Sequence, residues 1–151
     1  MQSIIKSQAL KHIHDEHHPV KIFVAPTMKF MEWRVAIQTK NYDYVGRAYG
    51  RNITFSDKVK RQQFSPDTLL WQIKSNPEIR TFLKFSSIYR WQIRKLDDQT
   101  TEIRLIDLRY LNKGHYSFAA IAHLTQDQKI DHSYIGWVFT EEKLQKKLYS
   151  H

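Results

Sequence analysis

The stretch Tyr89–Tyr110, YRWQIRKLDDQTTEIRLIDLRY, alternates apolar and polar residues on both sides of a short central segment. Alternation of period two is typical of β-strands with one apolar face, and the central Asp97-Asp98-Gln99 has the composition of a tight turn. The stretch therefore predicts a β-hairpin. Continued alternation places Asp107 and Arg109 on the apolar face. Either a bulge resets the register near Ile106, or the two charges enter a partly buried place together.

The rest of the chain extends this pattern into an α+β fold. A second hairpin is predicted between Met31 and Tyr49, with Gly46 marking a bulge or a close backbone approach inside its return strand. We expect a mostly antiparallel, twisted sheet of about six to seven strands built from hairpins. An inserted helical segment at about 66–85 and helices at both ends complete the prediction. The N-terminal helix is expected over Ser3–His17, and Thr140 caps the C-terminal one.

Composition limits the function classes. The chain has 151 residues, a formal net charge of +9 and no cysteine, which excludes disulfides, thiolate catalysis and cysteine-based zinc sites. The charge favours anionic partners such as acidic lipid or nucleic acid, although a basic soluble protein with no such partner shows the same balance. Without a long apolar run, no transmembrane helix and no signal peptide are expected within these residues.

Two pairs of histidines are candidate metal ligands. His14 and His18 are four residues apart and would share one face of a helix. His123 and His132 lie directly opposite each other if Asp127-Gln128 is the centre of a two-residue turn, and opposed side chains can ligate one ion. A third ligand would have to come from Asp107 or His115. In both cases, exposed histidines that bind no metal are the alternative interpretation.

Nucleic-acid binding would require a basic sheet face with aromatic residues among the cations. Four arginines could form such a face: Arg34, Arg90, Arg94 and Arg104. None of the familiar RNA or DNA recognition motifs accompanies them, so nucleic acid is the disfavoured anionic partner.

Several short motifs resemble the C-terminal domain of a family of bacterial inner-membrane proteins, the YfhP/YdjM-like metal-dependent hydrolases. They are APT at 25–27, MEWRV at 31–35, YDYVG at 42–46, FSSIYRW at 85–91 and IDLRY at 106–110. The resemblance spans Val20 to Phe139. It implies a soluble, mostly antiparallel domain attached behind a multi-helix membrane domain. The metal-binding histidines and acidic residues of that family lie in the membrane-associated part, so no catalytic residue is carried over to this sequence.

Within this resemblance, residues 1–18 are expected to form an N-terminal helix and juxtamembrane linker, and residues 19–151 a single α+β domain. The motifs carry over Pro26, Trp33, Asp107 and Arg109. We interpret Asp107 and Arg109, beside Trp91, as a bidentate ion pair that fixes the hairpin. A ligand pocket formed by the pair together with Trp33 and Trp91 is the alternative.

The leading functional hypothesis is an accessory or regulatory domain of a membrane-bound metal-dependent hydrolase, without a complete active site in this chain. The resemblance places it at the cytoplasmic face of the bacterial inner membrane. Its expected partner is the membrane-spanning N-terminal domain of the same protein or an anionic lipid surface, and a divalent metal (Zn or Mn) belongs to the full-length protein. The alternatives are a stand-alone cytoplasmic metal-dependent hydrolase using His123 and His132, and a basic binding module for anionic lipid or nucleic acid.

Overall fold

A computed structural model describes residues 1–13, 21–62, 72–111 and 117–150. The chain divides into two compact units, Met1–Arg61 and Gln62–His151. In chain order the elements are α1 (Gln2–Lys11), β1 (Lys21–Pro26), β2 (Glu32–Gln38), β3 (Tyr42–Tyr49), β4 (Asn52–Lys60), α2 (Pro77–Phe85), β5 (Tyr89–Lys95), β6 (Thr101–Asp107), β7 (Ser117–Leu124), β8 (Ile130–Val138) and α3 (Glu141–Leu148). Residues 72–75 are also helical.

The first unit is an antiparallel meander in the order β1-β2-β3-β4, with α1 packed against one face of the sheet. Its core joins one stripe of α1 to alternate residues of the strands: Ile5, Ala9, Ile13, Val24, Val35, Ile37, Tyr44 and Ala48. Burial of this stripe explains why so short a helix is stable, since isolated helices of this length are marginal in water.

Gly46 marks a real irregularity in this sheet, as the sequence predicted. The pairing of β3 with β4 shifts between Val45 and Gly46, so β4 carries one extra residue there. A Cβ atom at position 46 would collide with the backbone carbonyl oxygen of Thr54. The sequence predicted a bulge or a close backbone approach at Gly46, and the structure shows both.

The second unit is another antiparallel meander, β5-β6-β7-β8, with helices on both faces. Strand β7 (SFAAIAHL) is an almost continuous apolar run, which suits a strand buried on both sides. The α2 side of the core contains Ile73, Ile79, Phe82, Ile103, Leu105, Ala120, Ala122 and Leu124. The α3 side contains Ile106, Ala119, Ile121, Val138, Leu144 and Leu148. Side-chain caps on Asn76 and Thr140 begin the two helices.

The hairpin over Tyr89–Tyr110 is confirmed. Strands β5 and β6 pair without a shift from Lys95↔Thr101 to Tyr89↔Asp107, and the Asp97 carboxylate closes the turn by accepting from the backbone N–H groups of Gln99 and Thr100. No bulge therefore occurs near Ile106. The other predicted alternative holds, with Asp107 fully buried beside Arg109.

Two expectations are corrected by the structure, and a third falls partly outside the described residues. The antiparallel α+β class is confirmed, but eight strands form two four-stranded sheets instead of one sheet of six to seven. Helix α1 ends at Lys11, not at His17. The first part of the predicted helical segment at about 66–85, residues 66–71, lies outside the described residues.

The division into 1–18 and 19–151 stays a prediction, because compact units in a structure do not show which segments fold independently. Within the described ranges, no helix is both long and apolar enough to cross a membrane.

Candidate functional site

A row of polar side chains crosses the second sheet on the face that α3 covers. Strand register places Arg94 of β5 opposite Glu102 of β6, Glu102 opposite His123 of β7, and His123 opposite His132 of β8. Directly opposed residues project from the same face, so the four side chains are neighbours. Tyr149, immediately after α3, completes the polar cluster.

His123 is the centre of this cluster and is only 1% exposed. Its Nε2 lies 3.0 Å from Glu102 Oε2, and its Nδ1 lies 2.6 Å from the Tyr149 hydroxyl oxygen. An ionised carboxylate only accepts hydrogen bonds, so Nε2–H donates to Glu102, and Nδ1 is hydrogen-bonded to the Tyr149 hydroxyl. Both ring nitrogens are therefore engaged inside the protein.

Arginine side chains hold the other side of the Glu102 carboxylate. Arg104 lies 2.9 Å from Glu102 Oε1, and Arg94 lies 3.3 Å from the same oxygen. Arg104 also donates to both carboxylate oxygens of Glu141, at 2.6 and 3.1 Å. Glu141 begins α3 and Tyr149 follows its end, so the polar cluster fastens that helix to the sheet at both ends.

The charge states follow from these contacts. Burial alone raises the pKa of Glu102, but the hydrogen bond from His123 and the charges of Arg104 and Arg94 outweigh it, so the net pKa lies below its ordinary value. Burial raises the pKa of the Tyr149 hydroxyl, with further contributions from Asp131 and other carboxylates. At neutral pH Glu102 is therefore an anion, and the Tyr149 hydroxyl keeps its proton.

Two open clefts flank the polar cluster. One, of about 320 Å³, is lined by His123, Tyr149, Asp131 and residues of the β7–β8 turn. The other, of about 480 Å³, is lined by Arg94, Glu102, Arg104 and Glu141 among others. Both have polar walls, whereas cofactor sites are mostly apolar.

The predicted metal pair lies in this cluster. His123 and His132 are directly opposed, as expected. However, the ring of His132 packs against the ring of Tyr149, with centroids 4.3 Å apart, and Nδ1 of His132 lies 3.2 Å from the Asp131 carboxylate. In this arrangement both ring nitrogens of His123 are hydrogen-bonded within the protein, to Glu102 and to Tyr149. The role of His123 and His132 as metal ligands stays a prediction.

Among the described residues, the remaining candidate ligand Asp107 lies far from this pair. Asp107 lies five residues along β6 from Glu102, roughly 17 Å away at strand spacing, and is paired with Arg109. His14, His18 and His115 fall outside the described residues. Among the residues whose placement is given, no group of three or more His, Cys, Asp or Glu side chains is arranged to hold a metal ion.

His123 and His132 lie opposite each other, but the turn between β7 and β8 differs from the predicted one. Thr125 N–H donates to Lys129 O, and Gln128 has a left-handed φ of 61°. Leu124 pairs with Ile130, and an irregularity next to His123 restores its opposition to His132. The expected two-residue turn at Asp127-Gln128 is wrong, and a bulge compensates for the difference.

Asp107 and Arg109 form the predicted bidentate ion pair. Arg109 Nε donates to both Asp107 oxygens at 3.0 and 3.1 Å, and Nη2 donates to Oδ2 at 2.6 Å. Arg109 N–H also donates to Asp107 Oδ1, and Nη2 donates to Phe85 O at the end of α2. The guanidinium stacks over the rings of Phe85 and Tyr110. The pair thus ties the end of β6 to α2.

The two tryptophans proposed beside this pair belong to different units. Trp33 packs against the core cluster of the first unit, and Trp91 packs against the α2 side of the second-unit core. The role of the four residues as one ligand pocket stays a prediction.

Sequence reasoning missed Glu102 and Tyr149 as functional partners of His123. The sequence did contain a signal for Glu102. In the predicted hairpin, Glu102 lies opposite Arg94 and two residues from Arg104, an arrangement that favours ion pairs. The same pairing neutralises part of the predicted basic face, since Arg104 contacts two carboxylates. Tyr149 had no local signal, because its contact with His123 spans 26 residues of sequence.

Comparison with known families agrees with this architecture. A family model described as the YfhP C-terminal alpha/beta plait domain matches residues 68–148, and a model of the YfhP middle domain matches residues 16–59. The second unit is thus an α/β plait, a layered fold of antiparallel strands and helices. The chain belongs to the YfhP family.

A relative from Bacillus subtilis (strain 168), named Uncharacterized protein YfhP, is 43% identical to the chain over 148 residues. The match covers 98% of this chain and 44% of the relative. No solved structure gives a significant match. The expected YfhP resemblance is confirmed, and the family divides the matched region into a middle and a C-terminal domain. None of these matches names a membrane protein or a hydrolase.

Proposed function

We propose that this chain is an accessory, regulatory part of a longer, membrane-bound, metal-dependent hydrolase, and that it supplies no complete active site. The observation that carries the proposal is the state of His123, whose two ring nitrogens are both bound within a buried polar cluster. A histidine in this state holds a helix in place instead of ligating a metal. Coverage of 44% of the Bacillus relative supports a role as one part of a larger protein.

In this proposal the polar cluster serves the architecture of the second unit. Glu102 is nearly inaccessible and receives hydrogen bonds or ion pairs from His123, Arg94 and Arg104. Arg104 and Tyr149 extend the cluster to the two ends of α3. Removal of His123 therefore leaves Glu102 Oε2 without its hydrogen-bond donor inside the protein and releases Tyr149. Removal of the partly exposed His132 affects only its contacts with the Tyr149 ring and with Asp131.

The competing function is a stand-alone metal-dependent hydrolase that uses His123 and His132. Two variants, His123→Ala and His132→Ala, separate the proposals when metal content and thermal stability are measured on the same purified samples. The accessory role predicts no zinc or manganese that depends on either histidine, and a clearly larger loss of stability in His123→Ala. One equivalent of metal in the wild type that both variants lose would overturn it.

A further inference from the structure

The loop between β1 and β2, residues 27–31, is exposed and carries several apolar side chains; we call it the apex. Its hydrophobic side chains are Met28, Phe30 and Met31, which are 104%, 84% and 44% exposed. A side chain as exposed as Met28 is covered by no neighbour. Large apolar side chains clustered on a surface mark an interaction site, whereas single ones are ordinary.

Hydrogen bonds fix the shape of this apex. Thr27 N–H donates to Glu32 O and closes the loop, and Lys29 N–H donates to the Thr27 hydroxyl oxygen. Met31 adopts a left-handed backbone conformation with φ of 59°, which methionine rarely does without constraint. The loop thus holds its apolar side chains outward in a defined geometry, and backbone strain of this kind clusters at functional sites.

The turn between β3 and β4 adjoins the apex and places an exposed tyrosine beside it. Gly50 N–H donates to Met31 O, and Tyr49, 62% exposed, lies opposite Glu32 in the sheet. Tyrosine at the edge of an apolar patch is typical of membrane interfaces, where its ring meets lipid and its hydroxyl meets water.

The charge around the apex is positive. Lys29, with its side chain 81% exposed, and Arg47 lie 3.7 and 3.2 Å from the single carboxylate of Glu32. Arg51, also exposed, follows Gly50 in the adjoining turn. Lys29 and Arg47 therefore share one carboxylate, and Arg51 adds a third cation in the adjoining turn. The first unit as a whole has eleven Lys and Arg against five Asp and Glu, a formal charge of +6 of the total of +9.

We propose that Met28–Met31 inserts into the interface of an anionic lipid bilayer while Lys29, Arg47 and Arg51 contact the headgroups. A bilayer fits better than a protein partner because the apolar side chains project outward from a hairpin tip with cations beside them. Apolar burial together with attraction to acidic lipid is how peripheral segments bind membranes. The inference rests on the proposed function, which places the chain in a membrane-bound protein. It adds the surface through which this accessory part would contact the membrane.

Co-sedimentation of the whole chain with vesicles tests the inference. The probes are vesicles of equal amounts of phosphatidylglycerol and phosphatidylcholine, and vesicles of phosphatidylcholine alone. We expect binding to the anionic vesicles that weakens with salt, and about tenfold or more weaker binding for Met28→Ser/Phe30→Ser. Lys29→Gln/Arg51→Gln should weaken it about tenfold as well. Leu96→Ser, which removes an exposed apolar side chain from the β5–β6 turn of the other unit, is the matched control.

A second measurement reports insertion directly. Phe30→Trp should show added fluorescence quenching by lipids brominated in their acyl chains, relative to the wild type with its four native tryptophans. No binding to anionic vesicles, or equal binding by the Met28→Ser/Phe30→Ser variant, would overturn the inference. Self-association that this variant abolishes, without vesicle binding, would instead assign the apex to a second copy of the chain. Because metal content is measured separately, loss of vesicle binding leaves the test of the accessory role intact.

Discussion

The substitution Arg109→Met should destabilise the second unit by stranding a buried carboxylate. Asp107 is 0% exposed, and the Arg109 guanidinium makes three contacts with it between 2.6 and 3.1 Å. The hydrogen bond to Asp107 raises the pKa of Arg109, so the guanidinium is always charged. Methionine has a similar apolar stem and leaves the carboxylate with one donor from position 109, the backbone N–H.

The expected loss is about 2–3 kcal/mol. Breaking a fully buried ion pair costs about 3–5 kcal/mol, because the remaining charge is left without compensation. The value here is smaller, since the Arg109 side chain is 16% exposed and the backbone hydrogen bond survives. For a chain of this length, such a change lowers the melting temperature by about 5–10 °C.

Thermal and urea unfolding of the single and double variants measure this loss. Adding Asp107→Asn to Arg109→Met removes the stranded charge and should recover about 1 kcal/mol or more, which a double-mutant cycle isolates. Arg94→Met is the matched control. Arg94 also contacts a buried carboxylate, but its side chain is 60% exposed, so its loss should cost less than about 1 kcal/mol. An unchanged melting temperature in Arg109→Met would refute the reasoning.

Two further predictions test other parts of the fold. Gly46→Ala should destabilise the first unit by about 2–3 kcal/mol in urea unfolding, because its Cβ collides with the backbone of Thr54; a loss below about 0.5 kcal/mol would mean that β4 moves freely aside. The folded-state pKa of Glu102 lies below its ordinary value of 4.5, so its stabilising contribution is present above that pH and disappears as the pH falls through the folded-state pKa. Wild type should therefore be more stable than Glu102→Gln at neutral pH, with a difference that shrinks in acid, and a constant difference would contradict the charge assignment.

The local structure of this protein could be predicted from its sequence to a large extent. Alternation and turn residues identified the Tyr89–Tyr110 hairpin, and the buried charges at its end were visible as an interruption of the pattern. The Gly46 irregularity and the Thr140 cap were equally local. The first depends on the lack of a side chain, and the second on a hydrogen bond to a backbone group three residues away. Such features are decided by short-range sterics and hydrogen bonds.

The assignment of strands to sheets could not be predicted in the same way. Alternation shows that a strand has a buried face, but not which partner covers it, and β4 and β5 are not joined by a hairpin turn. The single-sheet prediction failed at this junction. The contact of His123 with Tyr149 could not be predicted for a related reason. It arises from the docking of α3 on the sheet, and long-range packing of this kind leaves no periodic pattern in the sequence.

The charges of the two units have different consequences. In the second unit, ten Asp and Glu accompany thirteen Lys and Arg, leaving a formal charge of +3. Several of these charges pair with each other at the sheet, as Arg104 does with Glu102 and Glu141. Paired, largely buried charges hold elements together and contribute little to long-range attraction. The first unit has a formal charge of +6. Beside its apolar apex, the carboxylate of Glu32 offsets only part of the charge of Lys29, Arg47 and Arg51. The positive charge that is conspicuous in the composition is therefore expected to act through the first unit, whereas the polar residues of the second unit maintain its fold.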